Sequence, residues 1–264
     1  MQTCRIASLC AASLLICGIH SAALAKQEWG DLSVTFLHDG EAPKPKRIEF
    51  LDGPPAGVKE PVFDQSILVD EKTRGIANVV VWIRQMPGGD EVLPFRPSYD
   101  RRAQEPVKVT CQNCQFEPRV LFVRTGQTMQ IENADPIGHN PKADLFENGA
   151  MGELMPPNVT FSKTFRREEF RPRPMSCNIY SWMDGWIMIR NDPYVGISDS
   201  AGKLAIKNLP VGKRTFVLWH ELSGYIVRGK RGGKDEEWKT GMLTVDIKPG
   251  DNDLGEIVFK PERR

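Results

Sequence analysis

The sequence has 264 residues, of which 40% are hydrophobic and 26% are charged, with 35 basic against 34 acidic side chains. A chain of this length can bury a full hydrophobic core without disulfides or metals, and it is long enough for two domains. Because the charges nearly cancel, nucleic acid and anionic membrane surfaces are excluded as main partners, since both require a basic surplus.

Residues 1–25 have the pattern of a secretory signal peptide. Arg5 precedes an apolar run over residues 6–19, and Ala23, Leu24 and Ala25 form a small-residue cleavage site. Cleavage there removes one arginine and no acids, so the remaining 239 residues (264 minus 25) carry 34 charges of each sign. No later segment is apolar enough for a membrane span. We therefore expect an exported protein, periplasmic or secreted, without a membrane span.

Alternating apolar residues predict β-strands along most of the chain that follows, at residues 32–36, 67–69, 78–83, 107–109, 119–123, 128–131 and 159–165. The segment 78–83 is so rich in β-branched residues that we expect a central strand. We expect a proline-rich loop at 86–106, a hairpin turn at 124–127 and one short helical turn near 144–148. No helix of ordinary length is expected.

The segment 174–189 places two soft ligands on one short loop between two predicted strands. Cys177 supplies a thiolate and Met183 a thioether, and both ligand types are suited to copper. Upstream, the phrase NADPIGHN at residues 133–140 supplies the imidazole of His139, followed by Asn140.

In these two phrases the chain resembles the cupredoxins, and more closely a branch of secreted cupredoxin-like proteins described as methylamine-utilisation-like. The loop of that branch has the pattern C-x2-H-x2-M, and its upstream phrase has the pattern N-x-D-x-x-x-H-N. The resemblance implies an all-β Greek-key sandwich that holds copper through His139, Cys177 and Met183. It also implies that Asn140 holds the cysteine loop by hydrogen bonds, and that the protein transfers electrons with a periplasmic redox partner.

Tyr180 departs from this pattern, because it stands where the branch has the loop histidine. A metal could drive its phenol, whose ordinary pKa is about 10, to become a phenolate ligand. Alternatively the ring fills the volume of the histidine and leaves three soft ligands, a set that favours Cu(I) and copper holding. In a third interpretation the ring covers an empty site, and the protein is a metal-free binding or structural module of the cell envelope.

After residue 192 the sequence changes to short strands separated by glycine-containing turns. The segment 194–217 resembles the carboxypeptidase-regulatory-like, transthyretin-like sandwich domains, whose motif specifies turns and sheet packing but no chemistry. We therefore predict a cupredoxin-like domain at 28–192 and a small transthyretin-like β-sandwich module at 193–264.

Three cysteines remain after the signal peptide. In an oxidising compartment Cys111 and Cys114 are expected to form a disulfide, which leaves Cys177 as the free thiol. Two alternatives stay open, namely free buried thiols or a zinc set in which both join Cys177 and His139.

The sequence contains no G-x-S-x-G, H-E-x-x-H or P-loop motif. The remaining histidines are interpreted structurally, His38 as a turn residue and His220, in a Trp-His-Glu phrase, as a packed strand-end residue. We therefore expect no catalytic residues and no autonomous enzyme.

Overall fold

The computed structural model describes residues 27–50, 53–59, 61–85 and 93–263, so the predicted signal peptide lies outside the described residues. The described chain is all-β, as predicted, and its one α-helix is α1 (Pro97–Arg102). No helix in these ranges has the length and hydrophobicity needed to cross a membrane. The strands are β1 (Trp29–His38), β2 (Val80–Ile83), β3 (Val107–Gln112), β4 (Gln115–Glu117), β5 (Val120–Arg124), β6 (Thr128–Asn133), β7 (Pro141–Leu145), β8 (Gly149–Gly152), β9 (Thr160–Thr164), β10 (Arg173–Cys177), β11 (Asp184–Arg190), β12 (Val195–Ile197), β13 (Lys203–Pro210), β14 (Gly212–His220), β15 (Gly224–Tyr225), β16 (Arg228–Arg231), β17 (Lys234–Glu237), β18 (Met242–Ile247) and β19 (Gly250–Phe259).

These strands form four sheets. Sheet 1 has the order β13-β1-β19-β16-β17, and sheet 2 has the order β12-β2-β14-β15 with β18 also paired to β14. Sheet 3 has the order β5-β11-β10-β7-β8, and sheet 4 has the order β4-β3-β6-β9. One apolar core lies between sheets 1 and 2 and a second between sheets 3 and 4. A third cluster joins the outer faces of sheets 2 and 3.

The two central strands are apolar on both faces because each lies between two of these clusters. In β2, Val81 faces the core between sheets 1 and 2, while Trp82 faces sheet 3. In β11, Ile187 faces the core between sheets 3 and 4, while Met188 faces sheet 2. This double burial explains the continuous apolar runs in the sequence, which alternation alone would not require.

A buried ion pair also joins the two pairs of sheets. Arg119 donates from Nε and Nη2 to the two carboxylate oxygens of Glu221, both at 2.7 Å. Trp186 donates to the same carboxylate at 3.2 Å, and its ring packs edge-on against Trp219 at 4.8 Å. Bidentate arginine–carboxylate pairs fix geometry as well as charge, so this contact sets how sheets 2 and 3 lie against each other.

The sheets do not follow the predicted division at residue 192. Strands β1 and β2 belong to the predicted domain at 28–192, but they pair with strands beyond it. β1 lies between β13 and β19, and β2 lies between β12 and β14. Sheets 3 and 4 contain only strands from β3 to β11, so the unit that carries the candidate site runs from Val107 to Arg190.

Four local predictions were wrong within the described residues. The turn at 124–127 is tight, with the Gln127 N–H donating to the Arg124 oxygen at 3.0 Å. It joins β5 of sheet 3 to β6 of sheet 4, so it is an arch between sheets and not a hairpin. The proline-rich segment contains α1, which starts at Pro97 because proline suits the first turn of a helix. Residues 67–69 form no strand, and residues 144–148 continue β7 into a turn.

Candidate metal centre

Cys177 and Met183 lie at the two ends of the loop between β10 and β11. The Cys177 N–H donates to the Met183 oxygen at 3.0 Å, and the Met183 N–H donates to the Tyr180 oxygen at the same distance. Both side chains lie in the core between sheets 3 and 4, where Cys177 is 4% and Met183 0% exposed. The backbone of this short loop therefore turns the thiol and the thioether inward.

The upstream segment is held rigidly by Asn133 at the end of β6. The Asn133 side-chain oxygen accepts the Asp135 N–H at 3.1 Å. The backbone of His139 pairs in both directions with Met155, at 3.0 and 2.8 Å. The Asn133 amide donates at 2.8 to 3.1 Å to three further backbone carbonyls, those of Ile137, Met155 and Pro156.

Pairing of β7 with β10 brings the two loops together. Pro141 lies opposite Cys177 in this pair, so His139 and Asn140 precede β7 beside the cysteine. The Asn140 N–H donates to the Cys177 sulfur at 3.4 Å. The Asn140 side-chain oxygen accepts from the Asn178 amide at 2.6 Å. Asn140 thus ties the cysteine loop to the histidine segment.

His139 and Cys177 have the separation expected of two ligands of one ion. His139 Nδ1 lies 3.9 Å from Cys177 Sγ. With metal bonds of about 2.05 Å to nitrogen and about 2.3 Å to sulfur, a trigonal angle of about 120° gives a separation of about 3.8 Å. The two side chains therefore fit a shared metal without rearrangement of the loops.

The other ring nitrogen of His139 is held by Asp135, a residue that was not predicted to belong to the site. Nε2 of His139 lies 2.8 Å from Oδ2 of Asp135, and both side chains are buried. Asp135 also accepts the backbone N–H of Asn113 at 2.6 Å and that of Cys114 at 2.9 Å. The sequence could have indicated this role, because Asp135 is the acidic residue of the phrase at 133–140 that contains His139.

Cys177 and His139 shift each other's ionisation. Burial alone would raise the pKa of the Cys177 thiol, but hydrogen bonds from His139 and from three backbone N–H groups hold it below its ordinary value. Burial would lower the pKa of His139, but its contacts with Cys177 and Asp135 raise it. Both shifts are toward the ionised pair, and a metal cation could take the place of the proton that His139 shares with the thiolate.

Tyr180 lies against the site through its ring. The centroid of that ring is 5.3 Å from the centroid of His139, at an angle of 70°. The ring of Trp182 also packs against Tyr180, with the two ring centroids 5.4 Å apart. Burial and the neighbouring acidic groups raise the pKa of the Tyr180 phenol, so the phenol stays neutral without a metal.

The predicted disulfide between Cys111 and Cys114 is absent, and all three cysteines of the described chain are free and buried. Cys111 lies in β3 opposite Phe116, whereas Cys114 lies in the two-residue turn between β3 and β4. The two cysteines are therefore not cross-strand partners. Burial raises the pKa of each thiol to about 12.

The other described histidines lie in the other pair of sheets. His220 ends β14, is 1% exposed and accepts the Leu222 N–H on Nδ1 at 3.3 Å. Burial and the nearby Arg119 lower its pKa to about 4. His38 ends β1 and is also buried. The strands that they end belong to sheets 1 and 2.

A cleft of about 730 Å³ lies between the β10–β11 loop and the residues that follow β14 of sheet 2. Trp182 lies on one side, and its indole nitrogen is buried without a hydrogen-bond partner among the described residues. The cleft is also lined by charged and apolar side chains, some from the unit that carries the candidate site and some from the strands of sheets 1 and 2 and their loops, including Arg119, Asp184, Trp186, Glu221 and Leu222.

No protein-family model and no curated protein matches the chain. Among solved structures it is similar to an amicyanin variant in the Cu(I) form, with 21% identity and a TM-score of 0.30 over 32% of this chain and 81% of amicyanin. It is also similar to the copper-containing nitrite reductase of Thermus scotoductus SA-01, with 19% identity and a TM-score of 0.30 over 40% of this chain and 24% of the reductase. Similarities this weak do not assign a function.

Proposed function

We propose that this chain is an exported copper-binding protein that holds the ion through Cys177 and His139, with Met183 as a weak third ligand. The observation that carries the proposal is the 3.9 Å separation between His139 Nδ1 and Cys177 Sγ in a buried pocket. A thiolate, an imidazole and a thioether are the ligand types that copper prefers.

Charge balance favours the Cu(I) state at these ligands. One thiolate, one neutral imidazole and one neutral thioether carry a single negative charge, which Cu(I) cancels. Because a buried net charge is costly, Cu(II) would need a further anionic or strongly donating ligand. Copper supplies a one-electron couple when bound, but the absence of a second imidazole at Tyr180 favours copper holding or transfer over repeated electron transfer.

The surrounding residues prepare the ligands for this role. Asn140 donates to the Cys177 sulfur, and Asp135 orients the His139 ring so that Nδ1 faces the thiolate. Such supporting hydrogen bonds fix the tautomer and direction of a ligating histidine. We also propose that the protein acts outside the cytoplasm beside a protein redox or copper-transfer partner and has no catalytic activity of its own.

Metal content tests the proposal directly. The protein is purified without added metal, and copper per chain is determined by elemental analysis together with an absorption spectrum. We expect stoichiometric copper in the parent, loss of copper in Cys177→Ser, and retention in Cys111→Ser, a matched change at another buried cysteine of the same core. Failure of the parent to bind added Cu(I) would overturn the proposal.

The alternative is a metal-free binding module. It is favoured by the hydrogen bonds of Asp135, His139 and Cys177, which satisfy one another without an ion. The cleft beside Trp182 would then be the binding site, since small-molecule sites often lie at the junction of two units. This function would be favoured if Cys177→Ser changed neither metal content nor the unfolding temperature in the presence of copper.

A further inference from the structure

His139 has a different ligand type on each side of its ring. Nδ1 faces the sulfur of Cys177, whereas Nε2 faces the carboxylate of Asp135. A second thiol lies near that carboxylate, because the ligand atoms of Cys114, Asp135 and His139 all lie within 4.8 Å of one another. The three side chains are buried, at 0%, 6% and 0% exposure.

We propose a second metal position on the Nε2 side of His139, formed by Cys114, Asp135 and His139, that takes a divalent ion of borderline softness such as zinc. This position goes beyond the copper site proposed above, because it uses a different sulfur, a different ring nitrogen and a carboxylate.

The spacing of the three ligand atoms supports one shared ion. Two atoms that each lie about 2.0 to 2.3 Å from a tetrahedral ion are about 3.3 to 3.8 Å apart. All three separations are within 4.8 Å, so the most distant pair has to close by no more than about 1 Å, which χ1 rotation of a cysteine provides. The shortest pair, Nε2 and Oδ2 at 2.8 Å, would open slightly as the ion replaces the shared proton.

The turn that carries Cys114 places it toward Asp135 at a conformational cost. Asn113 and Cys114 both have a φ of +53°, the left-handed conformation of a two-residue hairpin turn. The second position of such a turn strongly favours glycine. Here a cysteine occupies it, its side chain is fully buried, and its N–H is bound by Asp135. No hydrogen bond joins the Cys114 sulfur to any side chain or backbone group of the described residues.

Charge balance distinguishes this position from the one at Cys177. A thiolate and a carboxylate carry two negative charges, which a divalent ion cancels and Cu(I) does not. Thiolate, carboxylate and imidazole are also the three ligand types of zinc sites, and three protein ligands leave a fourth position open. The ion at this position is therefore expected to be zinc-like rather than Cu(I).

Cobalt(II) is the probe for this site, because it takes the place of zinc and gives a near-ultraviolet band when a thiolate binds it. The reduced, metal-free protein, with its mature N-terminus verified by intact mass, is titrated with cobalt and then with zinc. We expect a stoichiometric thiolate band that zinc abolishes. The band should be lost in Cys114→Ser and retained in Cys111→Ser and Cys177→Ser. Asp135→Asn should weaken cobalt binding by about tenfold or more.

A double variant removes dependence on the folding of Cys114→Ser. In Cys111→Ser/Cys177→Ser, Cys114 is the only cysteine outside residues 1–25, and this protein has also lost the proposed copper thiolate. X-ray absorption of the zinc-loaded double variant should show one sulfur in the coordination shell. A shell of nitrogen and oxygen alone would overturn the proposal, as would a cobalt band that disappears in Cys177→Ser but persists in Cys114→Ser. Copper binding by the parent is scored separately, so the two proposals fail independently.

Discussion

Replacing Tyr180 with histidine should complete a blue-copper ligand set. The substitution restores the second imidazole that such a site needs in its trigonal plane, beside the thiolate and the other imidazole. Tyr180→His should therefore convert a protein that is colourless or weakly coloured with Cu(II) into an intensely blue one.

The distance between the rings of His139 and Tyr180 supports this expectation. The centroid of an imidazole lies about 3.1 Å from an ion bound at about 2.05 Å, so two such rings at about 120° have centroids about 5.4 Å apart. The rings of His139 and Tyr180 are 5.3 Å apart. A histidine ring near the present position of the phenol thus needs no movement of the loop backbone. We expect Cu(II) to bind at least about tenfold more tightly, which is about 1.4 kcal/mol.

The assay is Cu(II) titration followed by absorption and electron paramagnetic resonance, with three controls. Tyr180→Phe keeps an aromatic ring without a ligand atom and should stay colourless. Tyr180→His/Cys177→Ser should lose the colour, because the band requires the thiolate. Tyr180→His/Cys111→Ser should keep it. If Tyr180→His binds Cu(II) no better than the parent and remains colourless, the loop does not form a cupredoxin site.

Three further changes test the buried charges. Asp135→Asn should lower the free energy of unfolding by about 2 to 3 kcal/mol in urea titration, because the two turn N–H groups and His139 lose a charged partner. Glu221→Gln should cost about 3 to 5 kcal/mol, since it removes the carboxylate that is paired bidentately with the buried Arg119, whereas the exposed Glu256→Gln should cost almost nothing. His220 has a folded pKa of about 4 and an unfolded pKa of about 6.5, so the unfolded chain binds more protons as pH falls through this window and stability is lost there. The loss should reach about 3 kcal/mol by pH 4, and His220→Gln should abolish that part of the pH slope; an unchanged slope would contradict the neutral buried histidine.

The sequence predicted the strands better than their partners. Alternation indicates which face of a strand is buried, but it carries no information on which neighbour supplies the hydrogen bonds. Both pairs of sheets require the same pattern, so β1 and β2 could not be separated from the strands that follow them. The turn at 124–127 shows the same limit, since its glycine and its tight geometry suit an arch as well as a hairpin.

The candidate site was predictable to the extent that it depends on local motifs. The phrases around His139 and Cys177 identified two side chains that the structure places 3.9 Å apart. Asp135 was not assigned to the site, and Cys114 was considered only as part of an alternative zinc set with Cys111, Cys177 and His139. The contact of Cys114 with Asp135 depends on the turn at 113–114 reaching across to the histidine segment. The spacing of Cys111 and Cys114 suggested a disulfide, yet in the structure one lies in a strand and the other in a left-handed turn.

The two proposed metal positions, one at Cys177 beside Tyr180 and one at Cys114, share His139 as a ligand. The phenol adds no charge at neutral pH, so the Cys177 side of the ring offers one negative ligand and suits a monovalent ion. The carboxylate of Asp135 and the second thiol, that of Cys114, together suit a divalent ion. A neutral imidazole has one free lone pair, so it can bind a metal through only one nitrogen while the other keeps its proton. A metal bound at one position should therefore weaken metal binding at the other. Cobalt affinity measured before and after loading with Cu(I) would reveal that competition. Equal affinities in the two states would require that the ions do not share His139.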